Sequence, residues 1–228
     1  SAAGASVGLG NIWRFPYLAA KYGGGIFLLV YIILALTFGY TMIMAESSLG
    51  RMTRKSPVGA FEHFGKSKGF AVGGWINAII PILIVPYYSV IGGWVIKYLV
   101  GYIGGQSKNL ASDDYFSSFI SNGLSTEICF LIFTLATLGI IYAGVRNGIE
   151  RVSKFMMPIL VVLSVIIAVY SVTRPGAIEG VKYFLVPNFK NFSWMTVVSA
   201  MGQMFYSLSI AMGILITFGS YMKKDTSI

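Results

Sequence analysis

The sequence predicts an all-α membrane protein that crosses the bilayer several times. Of its 228 residues, 56% are hydrophobic and only 11% are charged, whereas an ordinary soluble domain has about 25% charged residues. The mean hydropathy is +0.74. Runs such as Phe27–Ala45 and Ile159–Tyr170 are nearly uniformly apolar, whereas a membrane β-barrel would show alternating segments of about ten residues. The single cysteine, Cys129, excludes an internal disulfide framework and a cysteine-based zinc site.

Six segments are long and apolar enough to cross about 30 Å of hydrocarbon as helices. We expect them at roughly 1–20, 26–50, 70–100, 126–145, 153–173 and 195–219. The external links at 101–125 and 174–194 are the longest segments outside these spans. Because the sequence starts inside an apolar run and ends in a basic turn, we expect residues 1–228 to be part of a larger membrane protein.

The basic residues predict the orientation of the chain. The formal net charge is +9, and ten lysines and arginines fall in the links at 51–69 and 146–154 and after the last span, against six in the opposite links. Since cytoplasmic loops carry the excess of Lys and Arg, we expect a cytoplasmic N-terminus in a multi-pass protein of the cell membrane. The charges are too few and too scattered to form a nucleic-acid face, so we expect no nucleic-acid partner.

The first span is a poor helix. Gly4, Gly8 and Gly10 each cost about 1 kcal/mol relative to alanine in a helix interior, and polar Asn11 and charged Arg14 accompany them. Unwound backbone at membrane depth persists only where protein buries it or where it lines a wet cavity, so this span is a candidate site. The alternative is a small-residue packing face with Arg14 reaching the outer surface.

The sixth span has the same character. Polar Gln203, Ser207 and Ser209 lie at mid-span, and Gly202 and Gly213 flank them as positions where the backbone is predicted to open. A continuous helix that tolerates its serines is the alternative. Two interrupted helices in one bundle expose N–H groups at one break and carbonyls at another, which can hold a carboxylate and Na⁺ together.

Several motifs then identify a family resemblance that covers the whole chain. They are Gly8–Tyr17 (GLGNIWRFPY), Gly23–Gly25, Glu46–Arg51 (ESSLGR), Tyr87–Tyr88, Gly148–Arg151 (GIER) and Gln203–Ser209 (QMFYSLS). Together they strongly resemble the bacterial amino-acid branch of the neurotransmitter:sodium symporter family. The resemblance implies a LeuT-type inverted-repeat fold of twelve helices, of which this chain holds helices 1–6, with helices 1 and 6 unwound at mid-membrane.

The implied function is sodium-coupled import of an apolar or aromatic amino acid by alternating access. One Na⁺ would be bound by Ser6, Asn11 and Ser207 together with the substrate carboxylate. Gly4 and Val7 would supply carbonyls to a second Na⁺, with its other ligands on a helix beyond this chain. These are hard oxygen ligands, and a ligand shared between ion and substrate would couple their binding.

The resemblance also implies a substrate pocket. The carboxylate would lie against the N–H groups of Leu9 and Gly10 and the hydroxyl of Tyr88. The expected substrate-binding residues are Ala5, Ser6, Leu9, Gly10, Ile84, Tyr88, Tyr206, Ser207, Ser209 and Met212. Tyr206 stands where the lid residue is usually Phe, and Ala211 stands where glycine is usual. The apolar lining favours an apolar or aromatic side chain over a charged one.

Further roles follow from the same resemblance. The gate would comprise Arg14, Gln203, Tyr88 and Tyr206. Tyr31, Gln203 and Ser207 match positions around a chloride site, and chloride dependence stays open. Gly148 and Pro158 match an element of helix 5 that can unwind, with a plain proline kink as the alternative. Glu46 is expected to hold unwound backbone rather than to transfer protons, although an intramembrane carboxylate is a functional candidate by default.

Other function classes receive less support. A channel would need a continuous polar lining, and an intramembrane enzyme or receptor has no paired acid and base at mid-depth, since the ionisable Glu46 and Arg14 lie near opposite ends of the bundle. We expect a non-enzymatic transporter whose partners are an amino acid, sodium ions and the lipid bilayer. The sequence leaves the oligomeric state open, a homodimer included.

Overall fold

The computed structural model describes Gly8, residues 10–65 and residues 68–222. The all-α class is confirmed, since the described residues are mostly helical and their only strand-like pairing is an isolated bridge between Gly24 and Pro187. The chain divides into two compact units, residues 1–78 with 155–228, and residues 79–154. Each unit is described by itself below.

The first unit starts with the described part of the first segment. Its elements in chain order are a π-helical turn Gly10–Arg14, helix α1 (Phe15–Lys21), α2 (Gly25–Leu34), a π-helical turn Ala35–Gly39, α3 (Tyr40–Thr53) and α4 (Pro57–Phe64). Its later part contains most of α9 (Arg151–Val172), then α10 (Ala177–Leu185), a 3₁₀ turn Phe189–Asn191, α11 (Trp194–Ser207) and α12 (Ile214–Tyr221).

The second unit is built on the long helix α5 (Lys68–Ile103), whose first residues belong to the first unit. It continues with α6 (Ser107–Leu110), α7 (Asp113–Ser121), α8 (Gly123–Tyr142) and a π-helical turn Val145–Glu150. Gly93 of α5 packs against the backbone of α8, because a Cβ there would lie 2.8 Å from the nitrogen of Phe130. Small residues at such crossings let membrane helices approach closely.

Four helical stretches in the described residues are long and apolar enough to cross a membrane. They are Gly25–Thr53, Gly69–Ile103, Gly123–Tyr142 and Asn147–Val172. Pro81 and Pro86 lie inside the second of these, which membrane helices tolerate because neighbouring groups satisfy the freed carbonyls. The sixth segment is absent from this set because it is two short helices rather than one long one.

The core of the first unit joins the first, second and sixth segments. Ala19, Phe27 and Ala200 form one fully buried cluster, and the Phe15 ring packs edge-on against Phe27 and Tyr31 at centroid distances of 5.6 and 4.9 Å. Met204, Ile210 and Leu215 form a second cluster against α2 and α3. These clusters fix the broken sixth segment against the first two.

A glycine turn joins α1 to α2 and contacts α10 and α11. Gly23 and Gly24 have φ of 104° and 60°, a region that favours glycine. A Cβ at Gly24 would collide with the carbonyl oxygen of Tyr183. The Tyr183 hydroxyl donates to the carbonyl of Ala20 at 2.9 Å, and the Thr196 hydroxyl donates to the carbonyl of Tyr22 at 3.1 Å. The turn is therefore pinned by both α10 and α11.

Helices α3 and α12 of the first unit pack in close backbone contact. A Cβ at Gly50 would collide with the carbonyl oxygen of Ile216, and one at Gly219 would collide with the carbonyl oxygen of Ser47. Arg54, just after α3, donates from Nη1 to the carbonyl of Ser220 at 3.3 Å. This group of contacts, called here the glycine seam, holds α12 along its length.

Candidate functional site: the break in the sixth segment

The sixth segment is interrupted between Ser207 and Ile214. Within the break Ser209, Ala211 and Gly213 have φ of 55°, 60° and 67°. A non-glycine residue in this left-handed region costs roughly 1–2 kcal/mol, so the surrounding structure must impose the conformation at Ser209 and Ala211. The predicted interruption of helix 6 is confirmed.

The backbone N–H groups of the break donate to two kinds of acceptor, carbonyls of α11 and the side chain of Glu46. The N–H groups of Leu208 and Ile210 donate to carbonyls at the end of α11, Met204 at 2.9 Å and Phe205 at 3.0 Å. The N–H of Ala211 donates instead to Oε1 of Glu46 at 2.7 Å. The break is therefore fixed to α3 by the side chain of Glu46 rather than by another helix turn.

Glu46 lies in the interior of the first unit and is 7% exposed. Its Oε1 accepts the Ala211 N–H, and its Oε2 is buried with no hydrogen-bond partner among the described residues. This carboxylate thus acts on the backbone of the sixth segment at the position where that backbone is strained.

Gln203 joins the sixth segment to the first. Its side chain is fully buried, and Nε2 donates to the carbonyl of Gly10 at 3.1 Å and to the hydroxyl of Ser207 at 2.9 Å. Its Oε1 has no partner among the described residues. Both hydrogens of the amide are engaged, so Gln203 acts as a cross-link between the sixth segment and the first.

The aromatic ring of Tyr206 covers Gly10, the first residue of the π-helical turn that precedes α1. The ring of Tyr206 lies so close to Gly10 that a Cβ at Gly10 would collide with it. The guanidinium carbon of Arg14 is 5.3 Å from the centroid of the same ring, within the range of a cation–π contact. Gly10, Arg14 and Tyr206 therefore form one stack, and glycine is required at position 10 by close approach.

Other predicted residues of the first unit lie in the first, second and sixth segments. Ser207 and Ser209 are buried and Met212 is half-buried. The backbone N–H of Asn11 donates to the carbonyl of Gly8 at 3.0 Å. Tyr31 packs against both buried clusters of the core. The carbonyl, amide and hydroxyl oxygens offered here are ligand types that suit a hard cation, and no group of three His, Cys, Asp or Glu side chains able to hold a metal occurs among the described residues.

Other predicted residues lie elsewhere. Ile84 and Tyr88 are four residues apart on α5 in the second unit, both half-buried, and so share one helix face. Gly148 is buried in the π-helical turn before α9, and Pro158 lies inside α9. Gly4, Ala5, Ser6, Val7 and Leu9 lie outside the described residues.

Two glycines of the sixth segment differ in role. Gly213 is in the left-handed region at the start of α12, and a Cβ there would lie 2.6 Å from Cγ of Pro57. Gly202 lies inside α11, and a Cβ there would meet nothing within 4 Å. The prediction that the backbone opens at Gly202 is therefore wrong, because the helix continues through it for another turn.

Sequence reasoning also missed the glycine seam. The available signal was the spacing of small residues in the ESSLGR motif, where Ser47 and Gly50 lie three apart on one face, with Gly219 as a further small residue in the sixth segment. Arg54 gave no such signal, because an arginine after a membrane helix is explained by topology alone.

Comparisons with known proteins agree with this architecture. The profile of the Sodium:neurotransmitter symporter family matches residues 1–106 and 116–228. The crystal structure of MhsT in complex with L-phenylalanine has a TM-score of 0.91 and 39% sequence identity, covering 99% of this chain and 52% of that one. The first six helices of a LeuT-type fold are thereby confirmed.

Curated relatives give the same result. The uncharacterized sodium-dependent transporter YhdH of Bacillus subtilis is 36% identical over 231 residues, which is 100% of this chain and 51% of the relative. The sodium-dependent neutral amino acid transporter B(0)AT1 of Mus musculus is 28% identical over 250 residues, 96% of this chain and 39% of the relative. The chain spans about half the length of YhdH and less of the mouse protein.

Proposed function

Because this chain belongs to the sodium:neurotransmitter symporter family, we propose that it forms the first half of a sodium-coupled symporter that imports an apolar or aromatic amino acid by alternating access. The observation that carries the proposal is the break at 208–213 together with the bond from Gln203, in the helix α11 that precedes it, to the carbonyl of Gly10 in the first segment. Near this bond lie the buried hydroxyl of Ser207 and the half-buried ring of Tyr206.

The ion sites are proposed from these oxygens. Asn11 and Ser207, with Ser6, would bind one Na⁺ and leave a position for the substrate carboxylate. Gly4 and Val7 would bind the second through their carbonyls. The described part supports the first site because Ser207 is buried and its hydroxyl accepts from Gln203, which leaves a lone pair for a cation.

The substrate is proposed to lie beside Tyr206. Its carboxylate would meet the N–H groups of Leu9 and Gly10 and the hydroxyl of Tyr88, and its side chain would meet Ile84, Ser209 and Met212. The contact of Tyr206 with Gly10 supports a lid of this kind. Since MhsT was solved with L-phenylalanine, an aromatic substrate is a reasonable first choice, and the hydroxyl of Tyr206 would add one polar contact.

The gate and the anion requirement follow from the same geometry. The Arg14 and Tyr206 stack would close the outer side, with Gln203 bonded to the backbone of Gly10 beneath it. Both amide hydrogens of Gln203 are already used, on Gly10 and Ser207. An anion beside Tyr31 would have to displace one of these bonds, so we propose that uptake does not require chloride.

The experiment is uptake of radiolabelled L-phenylalanine by the full-length protein in proteoliposomes. An inward Na⁺ gradient should drive saturable uptake, and K⁺ in place of Na⁺ should abolish it. Unlabelled Leu, Met, Tyr or Trp should compete, whereas Glu and Lys should not, and gluconate in place of chloride should change nothing. Uptake that does not saturate would indicate a channel, and competition by Glu alone would contradict the proposed pocket.

A further inference from the structure

We propose that the turn between α9 and α10 forms a binding site for one membrane phospholipid, with an acyl chain in an apolar groove and the phosphate at Arg174. The site lies away from the break in the sixth segment and does not depend on the transport activity. It follows from how the chain folds back at the end of a long apolar helix.

The turn directs α10 back along α9. The N–H of Arg174 donates to the carbonyl of Ser171 at 3.3 Å, Gly176 has φ of 81°, and the N–H of Ala177 donates to the carbonyl of Arg174 at 3.1 Å. In α10 the residues at 177, 180, 181, 184 and 185 then share one face by helical spacing. This face lies opposite the last turn of α9.

A groove of about 430 Å³ lies between the two helices. That volume falls within the range of about 300–1,000 Å³ that is usual for small-molecule sites. Its lining is hydrocarbon apart from the backbone and one hydroxyl, and consists of Ser171, Val172, Ala177, Gly180, Val181, Phe184 and Leu185. A Cβ at Gly180 would meet nothing within 4 Å, so the groove is open above this residue.

A cation lies at the turn end of the groove. The guanidinium carbon of Arg174 is 3.9 Å from the centroid of the Tyr170 ring, one helical turn earlier. The one ion pair among the described residues joins Lys182 to Glu179 at 3.5 Å, so Arg174 has no carboxylate partner there. Guanidinium groups bind phosphate oxygens with two parallel hydrogen bonds.

The positions of Tyr170, Arg174 and the apolar groove indicate which ligand fits the site. An apolar helix that ends in a tyrosine and an arginine ends at the boundary between hydrocarbon and headgroups. A phospholipid presents an acyl chain and a phosphate at that same boundary, so its two chemistries match the groove and Arg174. A soluble anion would leave the groove unfilled, and a fatty acid would supply only a carboxylate.

The test is native mass spectrometry of the delipidated full-length protein titrated with dioleoyl phosphatidylglycerol. Gly180→Phe should fill the groove and remove one bound phospholipid, with Gly180→Leu as a milder second variant. Gly139→Phe is the matched control, because a Cβ at Gly139 on α8 also meets nothing within 4 Å. Arg174→Gln should weaken the binding of that phospholipid about tenfold, the usual scale for one charged hydrogen bond.

Each other outcome contradicts the proposal in a defined way. If both Gly180 variants retain as many phospholipids as the control, the groove binds none. If Arg174→Gln has no effect, or oleate displaces the phospholipid at equal concentration, the ligand is a hydrocarbon chain without a phosphate. If the Gly180 variants lower the melting temperature while lipid counts stay equal, another part of the chain fills the groove.

Discussion

Helix α12 packs on α3 backbone against backbone, whereas α11 is joined to the first segment through side chains. In the glycine seam the carbonyls of Ile216 and Ser47 occupy the space where a Cβ of Gly50 or Gly219 would be. Between α11 and the first segment the corresponding link is the amide of Gln203 on the carbonyl of Gly10. The first contact leaves no space for a larger side chain at Gly50 or Gly219, and the second is a hydrogen bond that can be exchanged for another.

This difference indicates which half of the sixth segment is the fixed one. A hinge needs one side held and one side free to change its partners. The break at 208–213 lies between these two kinds of contact, with Glu46 bonded to Ala211 inside it. We therefore expect α12 and α3 to behave as one body, while α11 changes its contacts with Gly10 during transport.

The largest expected effect comes from the glycine seam. Gly50→Ala places a methyl group on the carbonyl of Ile216, and we expect a loss of about 3 kcal/mol of stability, the upper range for overpacking. Thermal unfolding in detergent measures it. The control is Gly202→Ala on α11, where the added methyl group has free space and alanine should stabilise the helix by about 0.5–1 kcal/mol. Equal melting temperatures for the two variants would contradict the seam.

The second effect concerns the carboxylate in the break. Glu46→Ala leaves the N–H of Ala211 without its acceptor, and we expect a loss of about 2 kcal/mol, within the range for a buried donor that loses its partner. Glu46→Gln keeps an acceptor oxygen and should lose less than about 1 kcal/mol. If the two variants unfold at the same temperature, the bond to Ala211 does not stabilise the break.

The third prediction concerns the Gln203 cross-link, while the glycine seam is left unchanged. Gln203→Leu removes both bonds of Nε2, to Gly10 and to Ser207, at a similar side-chain volume. We expect about 1 kcal/mol of lost stability, because the loss of two hydrogen bonds at about 1 kcal/mol each is partly offset by removing the buried, unpaired Oε1, and about a tenfold loss of sodium-driven uptake. Normal uptake by a folded variant would show that the cross-link serves packing only.

The smallest effect should have the opposite sign. Ala211→Gly relieves the left-handed conformation at φ of 60°, which we expect to add about 0.5 kcal/mol of stability after the entropy of the unfolded glycine is subtracted. Gly213→Ala is the counterpart and should destabilise, because its methyl group would lie 2.6 Å from Pro57. Melting temperatures that fall for both variants would argue against strain at Ala211.

The sequence predicted the fold class and the interrupted sixth segment, because hydropathy, glycine content and motif order are all readable from the chain. It could not predict that Gly202 stays helical while Ala211 does not, since helix propensity favours the reverse. That result depends on a tertiary bond from Glu46. The glycine seam was likewise hidden, because small residues report a close approach but not the partner helix.

The most direct measurement is equilibrium binding of radiolabelled L-phenylalanine to the purified full-length protein in NaCl and in KCl. If the break beside Gly10 binds ion and amino acid together, binding should saturate in Na⁺ and fall at least about tenfold in K⁺, which corresponds to a coupling free energy of about 1.4 kcal/mol. Ser207→Ala should reduce the dependence on Na⁺. Equal binding in the two salts would contradict the central claim.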